Sequence, residues 1–424
     1  MKKIFAAILS AVLAMAACLC AGCEKKPATP VTPPPATGDE KPPFYVENAD
    51  TLEYGYSEEE RIIPFWQSNV MRNEQLMIVE KDGVTQGKLL YEPTRVISVR
   101  DWTLEREYVE GVDYEINGNV ITLPEGSSIP VFKDEWSRGE NIPEQYPFGN
   151  AGSGWAWAGG GVMYTESALI WQNYIHVTYV YDNADADKSV FAKYSGELYG
   201  LEQKIKSDDP EDKKLKMAVF GDSISEGHSS SEIWNHAPKS PPYAKLVAYG
   251  LEHFGGLEVE FTNMSVGGKD SSWAADEAVD PELGKQLPKL QNLAPDLLIL
   301  AFGTNDSGNN LAGKAYRHNL ETVIQTAKAA NSECQILLVA PFPSHEKSQP
   351  GANIRLMIDA QKAIVQETEY FDVAHVSMYE PCKKMLETKN YYEIAGNNVN
   401  HPNDFIHRVY AMNILSAMLD FENL

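Results

Sequence analysis

Cysteine is scarce: there are five in 424 residues, and Cys18, Cys20 and Cys23 crowd the N-terminus. The other two, Cys334 and Cys382, match no metal-ligand spacing. Cys334 opens an apolar run and reads as a buried free thiol, with a disulfide in an oxidising compartment as the alternative. Basic residues are also few, 36 Lys and Arg against 60 Asp and Glu, for a formal charge of −24. So acidic a chain repels phosphate backbones, and with no local basic patch in view nucleic acid is excluded as a partner. Beyond Leu19 nothing in the chain looks membrane-embedded. The rest is ordinary globular composition, 43% hydrophobic and 23% charged with 30 Gly and 25 Pro. That excludes collagen-like, coiled-coil and wholly disordered chains, and the length suggests two domains.

The N-terminus has a plan of its own. Lys2 and Lys3 precede the apolar run Ile4–Leu19, and small residues follow, the pattern of a secretory signal. Ala21-Gly22-Cys23 resembles a bacterial lipobox, with Cys23 as the lipidated residue. Cys20 departs from the usual Leu, which keeps Met15-Ala16-Ala17-Cys18 as a rival site. Residues 24–43, with Pro33-Pro34-Pro35, cannot bury a core and read as an extended tether. The expectation is a lipid-anchored protein of the cell envelope, touching the membrane through that anchor only.

From 44 to 205 the pattern is short alternating runs such as Leu76–Val79, Val96–Val99 and Ile175–Tyr181, separated by turn residues. Asn117-Gly118 between Tyr114–Ile116 and Val120–Ile121 is a hairpin signal. An all-β sandwich of jelly-roll type is predicted. From 206 to 424 the rhythm changes after the charged join Lys204–Lys216. Apolar runs at Met217–Phe220, Val259–Val266, Leu297–Phe302, Ile336–Pro341 and Val373–Val376 alternate with helical stretches near Tyr243–Phe254, Leu311–Ala330, Ile354–Thr368 and Asn403–Leu419. Near-continuous apolar strands with intervening helices predict a doubly wound α/β sheet covered on both faces. Chemistry is then expected at the carboxyl ends of the strands.

Four blocks sit at such ends: Gly221-Asp222-Ser223; Asn263 with Gly267-Gly268; Gly303-Thr304-Asn305-Asp306; and His401-Pro402-Asn403-Asp404. Each alone is a turn. In this order they resemble the four blocks of the SGNH, or GDSL, hydrolases over Lys216–Leu424, about half of the chain. The resemblance implies a flavodoxin-like three-layer α/β/α domain, ester hydrolysis by a serine nucleophile, and neither a metal nor an organic cofactor. It makes Ser223 the nucleophile and His401 the base. It assigns the oxyanion donors to the N–H groups of Ser223 and Gly268 and the amide of Asn305, with Gly267 the rival for Gly268. Donors aimed at the developing oxyanion and a base within hydrogen-bond reach are what such chemistry needs.

The base has a competitor, because Asp404-Phe405-Ile406-His407 also spells the family's Asp-x-x-His. Asn403 is a helix N-cap candidate, however, which puts His407 a turn inside the last helix and favours His401. Three residues before His401 stands Asn398 rather than Asp. A backbone carbonyl or another carboxylate must then orient His401, or the enzyme is slow. Some carbohydrate esterases of this superfamily use a carbonyl there and carry an N-terminal jelly roll, which this chain resembles in architecture. The reading is an esterase acting on O-acetyl groups of a carbohydrate, or on another small ester. A lipase or thioesterase and a catalytically weak glycan-binding lipoprotein are the alternatives. His228 reads as a solvated loop residue or a pocket residue. Trp155 and Trp157, in Gly154–Gly161, suit sugar stacking or loop packing.

Overall fold

Strand β1 (Val70–Lys81) is buried over its first ten residues and exposed only at its last two. A strand covered on both faces must sit between two packed layers. β1 does so: antiparallel β8 (Tyr174–Tyr181) pairs along its first part, and antiparallel β2 (Val84–Lys88) and parallel β7 (Val131–Lys133) pair at its end. With β3 (Pro93–Asp101), β4 (Glu107–Tyr108), β5 (Glu115–Asn117) and β6 (Val120–Thr122), the order is β4-β3-β8-β1-β2-β6-β5 in an eight-stranded sheet. Asn117 pairs with Val120, so Gly118-Asn119 makes the two-residue hairpin loop, with Gly118 at φ +58°. The computed structural model describes residues 41–146, 161–348, 351 and 353–423. The signal at 1–23, nearly all of the tether and the Trp155/Trp157 loop lie outside the described residues.

The second sheet comprises β9 (Lys214–Gly221), β10 (Glu258–Asn263), β11 (Leu297–Ala301), β12 (Gln335–Ala340) and β13 (Val373–Ser377). Its five strands run parallel in the order β10-β9-β11-β12-β13, the flavodoxin-like 2-1-3-4-5 order. Helices α1 (Ala168–Trp171) and α2 (Tyr199–Lys206) precede it. Within it follow α3 (Ser223–Glu226), α4 (Tyr243–His253), α5 (Ser271–Ala274), α6 (Leu287–Leu293), α7 (Thr304–Gly308), α8 (Gly313–Ala330), α9 (Ile354–Glu367), α10 (Tyr379–Met385) and α11 (Asp404–Met418). Alternate strand residues point to opposite faces, which produces the layers. Leu297 and Ile299 join the core that holds α4 and α11, whereas Leu298 and Leu300 join the core under α8 and α9. β10 stops short of Val266 because the Asn263 side chain accepts the Ser265 N–H (3.0 Å) and donates to the Ser225 carbonyl (2.8 Å), turning the chain.

Residues 42–424 form one compact unit. Leu76, Ile78 and Tyr179 of the first sheet share a continuous core with Phe405, Val409 and Met412 of α11. Nearly every residue of α11 is buried, as befits a helix covered all round. Arg408, on α11, donates to the carbonyls of Arg61 (3.0 Å) and Arg72 (2.8 Å), and the Phe405 N–H meets Gln75 Oε1 at 2.8 Å. Lys389 forms a fully buried ion pair with Glu74 and also donates to the Lys88 carbonyl. Deleting one partner of such a pair typically costs about 3–5 kcal/mol. The carboxyl edge of the parallel sheet is therefore pinned against the β-rich half. Among the described residues, no helix is long and apolar enough to cross a membrane. Cys334 and Cys382 are free and buried.

Candidate active site

Ser223 begins α3 directly after β9, and two local features shape that turn. Gly221 faces β11 so closely that a Cβ would stand 2.5 Å from the Ala301 carbonyl oxygen. Asp222 caps the turn by accepting the Ile224 N–H at 3.0 Å. Burial pushes the Asp222 carboxyl up to about 7, against the pull of that bond. The N–H of Ser223, at the first helical position, has no intrahelical acceptor and is left as a donor at the strand end.

His401 comes from the loop before α11, and one side chain shapes most of that loop. Asn397 Oδ1, fully buried, accepts the N–H groups of Val399 (2.9 Å), Asn400 (2.9 Å) and His401 (3.0 Å). Asn403 then caps α11 by accepting the Ile406 N–H at 3.0 Å. The result places His401 Nε2 2.8 Å from Ser223 Oγ, with both residues buried.

The other ring nitrogen, Nδ1, meets Glu166 Oε1. Glu166 lies 235 residues earlier in the chain, just ahead of α1 in the β-rich half. Its Oε1 also accepts from Ser229 Oγ at 2.9 Å. Burial opposes ionisation of Glu166, yet the hydrogen bond and charge of His401, with help from His228 and Ser229, hold it below the usual carboxylate range. An ionised carboxylate only accepts, so the proton sits on Nδ1 and the lone pair of Nε2 faces Ser223. No sequence signal marks Glu166: Tyr164-Thr165-Glu166 is no motif, and only the docking of the halves brings it to His401.

Asn398, at the position where the family has Asp, points away. It adopts φ +63° and donates 2.9 Å bonds to the carbonyls of Ser137 and Met163, tying the His401 loop to the β-rich half. An aspartate there would face two carbonyls with no N–H to offer. Asn398→Asp is therefore expected to leave kcat without gain and to lower stability by about 1–3 kcal/mol, read as a fall in Tm.

His407 is satisfied elsewhere. Its Nε2 donates to the His228 carbonyl (3.0 Å) and its Nδ1 accepts the Tyr243 N–H (3.4 Å). Burial pushes it down to about 4, so it is neutral and packed inside α11.

Gly268 and Asn305 stand at the ends of β10 and β11, the two neighbours of β9. The Gly267 N–H is taken by Glu226 Oε2 at 2.6 Å, which leaves Gly268 as the donor of that pair. Gly268 adopts φ +74°, a region that favours glycine, and a Cβ built on it would meet nothing within 4 Å. Asn305 Nδ2 donates one hydrogen to the Lys269 carbonyl at 2.9 Å, which holds the amide beside Gly268 with its second hydrogen to spare. His228 is half-buried. Its ring stands edge-on to that of His401 at 5.1 Å, and its Nε2 lies 3.3 Å from Glu226 Oε2. Beyond it, Ile233 and Trp234 are exposed, with the Trp234 ring 5.7 Å from His228.

Residues 219–409 match the model of the GDSL-like lipase/acylhydrolase family. Solved structures add likenesses. A two-domain esterase active on acetylated mannans, co-crystallised with mannopentaose, is 20% identical, with 53% of each chain covered and a TM-score of 0.38. The present chain thus spans about half the length of that protein. A carbohydrate esterase of family 3 from Talaromyces cellulolyticus is 16% identical over 50% of this chain and 99% of its own, with a TM-score of 0.37. A lipolytic G-D-S-L protein from Veillonella parvula is 17% identical over 49% of this chain and 99% of its own, also with a TM-score of 0.37. No curated protein matches the sequence.

Proposed function

We propose that the protein is a serine esterase that removes acetyl groups from a carbohydrate. One observation carries the reading: the continuous line Ser223–His401–Glu166, with the nucleophile 2.8 Å from its base. In this mechanism Ser223 Oγ attacks the acyl carbon as His401 Nε2 takes its proton, and Glu166 stabilises the imidazolium. The N–H groups of Ser223 and Gly268 and the amide of Asn305 receive the oxyanion. Each such donor is worth about 2.7–4 kcal/mol. Collapse expels the sugar alkoxide, which takes the proton from Nε2. Water then enters, loses a proton to His401 and attacks the acyl carbon; collapse releases acetate as Ser223 Oγ takes that proton back from Nε2. These steps need no cofactor.

The carbohydrate part rests on the exposed Trp234 beside His228, a flat apolar face of the kind that sugar rings cover with their C–H groups. The two-domain esterase active on acetylated mannans acts on the same class of substrate. We further propose a lipid anchor at Cys23, which with the proline-rich tether would hold the enzyme at the cell envelope. The test pairs acetate release from acetylated manno-oligosaccharides with labelling by a fluorophosphonate. Acetate release and an adduct on the Ser223 peptide are expected. A missing adduct would remove the serine mechanism, and turnover confined to long-chain lipid esters or thioesters would remove the carbohydrate.

A further inference from the structure

The line Ser223–His401–Glu166 makes no use of His228, although that imidazole is built into the same corner. The His228 N–H donates to the Ser223 carbonyl at 2.9 Å, so its position is tied to the nucleophile turn. Donor atoms of Glu166, His228 and His401 all lie within 4.8 Å of one another. Two imidazoles and one carboxylate are a donor set that Zn²⁺ takes with a fourth position left open, and imidazole also suits Cu²⁺ and Ni²⁺. Access fits too. The side chains of Glu166 and His401 are only 5% and 7% exposed, whereas that of His228 is 28% exposed and gives an ion a way in from solvent.

We propose that Glu166, His228 and His401 form a reversible inhibitory site for a divalent transition metal, Zn²⁺ foremost. Either ring nitrogen of His401 gives the same outcome. An ion on Nδ1 moves the proton to Nε2, where it points at Ser223 and cannot be exchanged for the serine proton. An ion on Nε2 takes the lone pair itself. In both cases the base is lost, no bond to carbon is made, and chelation restores the enzyme.

This inference rests on the reading of His401 as the base, so binding and turnover are measured separately on the full chain. Equilibrium dialysis of the wild type against Zn²⁺ is expected to show a bound ion, and Zn²⁺ to suppress p-nitrophenyl acetate hydrolysis until a chelator is added. His228→Ala, which removes a partly exposed side chain, should keep its activity in chelator-treated buffer. It should also raise the Zn²⁺ concentration for half-inhibition by at least about tenfold and weaken the dialysis signal in step. His228→Asn serves as a second variant and should behave alike. No ion bound to the wild type, or binding and inhibition unchanged in both variants, would overturn the site. A wild type without turnover in chelator-treated buffer would instead overturn the esterase reading, while dialysis still decides the site.

Discussion

Ser223→Ala is expected to lower kcat by about 10⁶-fold, the scale seen when the nucleophile of a serine–histidine pair is deleted. The loss should be confined to chemistry. Ser223 is small, its hydroxyl has His401 as its partner, and the capping bond from Asp222 to the Ile224 N–H does not involve its side chain. Tm should therefore stay within a degree or two of wild type while turnover vanishes. Residual activity above a few per cent of wild type would mean that another group attacks the ester.

Glu166→Gln is expected to be the second largest loss, about 10⁴-fold in kcat. Replacing the carboxylate of a serine–histidine–acid triad with its amide has that cost elsewhere, largely through the wrong imidazole tautomer. The amide preserves the shape of the side chain, so the fold should survive. KM should change little, because Glu166 touches His401 and Ser229 rather than the proposed substrate. Steady-state kinetics decide the matter, and a Glu166→Gln enzyme as fast as wild type would show that His401 needs no charged partner. Glu166 is ionised in the folded chain and held below its ordinary value by His401, so stability from this contact is present above the unfolded carboxylate range. It is lost as pH falls through the lowered folded value.

Much of the parallel-sheet half was legible from local pattern. Apolar runs such as Leu297–Phe302 mark strands buried on both faces, and the 3.6-residue spacing of 311–330 and 354–368 marks helices that the structure places at Gly313–Ala330 and Ile354–Glu367. The short helices α3, α5 and α7 were not legible, because four or five residues carry no period. They exist through side-chain caps and tertiary contacts, as with Asp270, which accepts the N–H groups of Ser272 and Trp273. The positions of Ser223, Gly268, Asn305 and His401 could be read because each lies in a block next to its own strand or helix end. Glu166 could not, since its contact with His401 arises only when two distant stretches of chain dock. The spacing rule pointed to residue 398 for the partner of His401. Asn398 instead spends its amide on two carbonyls of the other half, where no local pattern records it.

The separation of Glu166 from His401 also orders events in time. Ribosomes make the carboxylate first and the imidazole last, and N-terminal segments fold ahead of those that follow. The proposed charge line therefore closes only after residue 401 has been made and α11 has wedged against β1. A truncated or nicked chain would carry the serine and the oxyanion donors without a completed base. Hydrolysis of an ester would thus report that both stretches have docked, and trimming the protein to the family-matched residues 219–409 would discard the proposed acid.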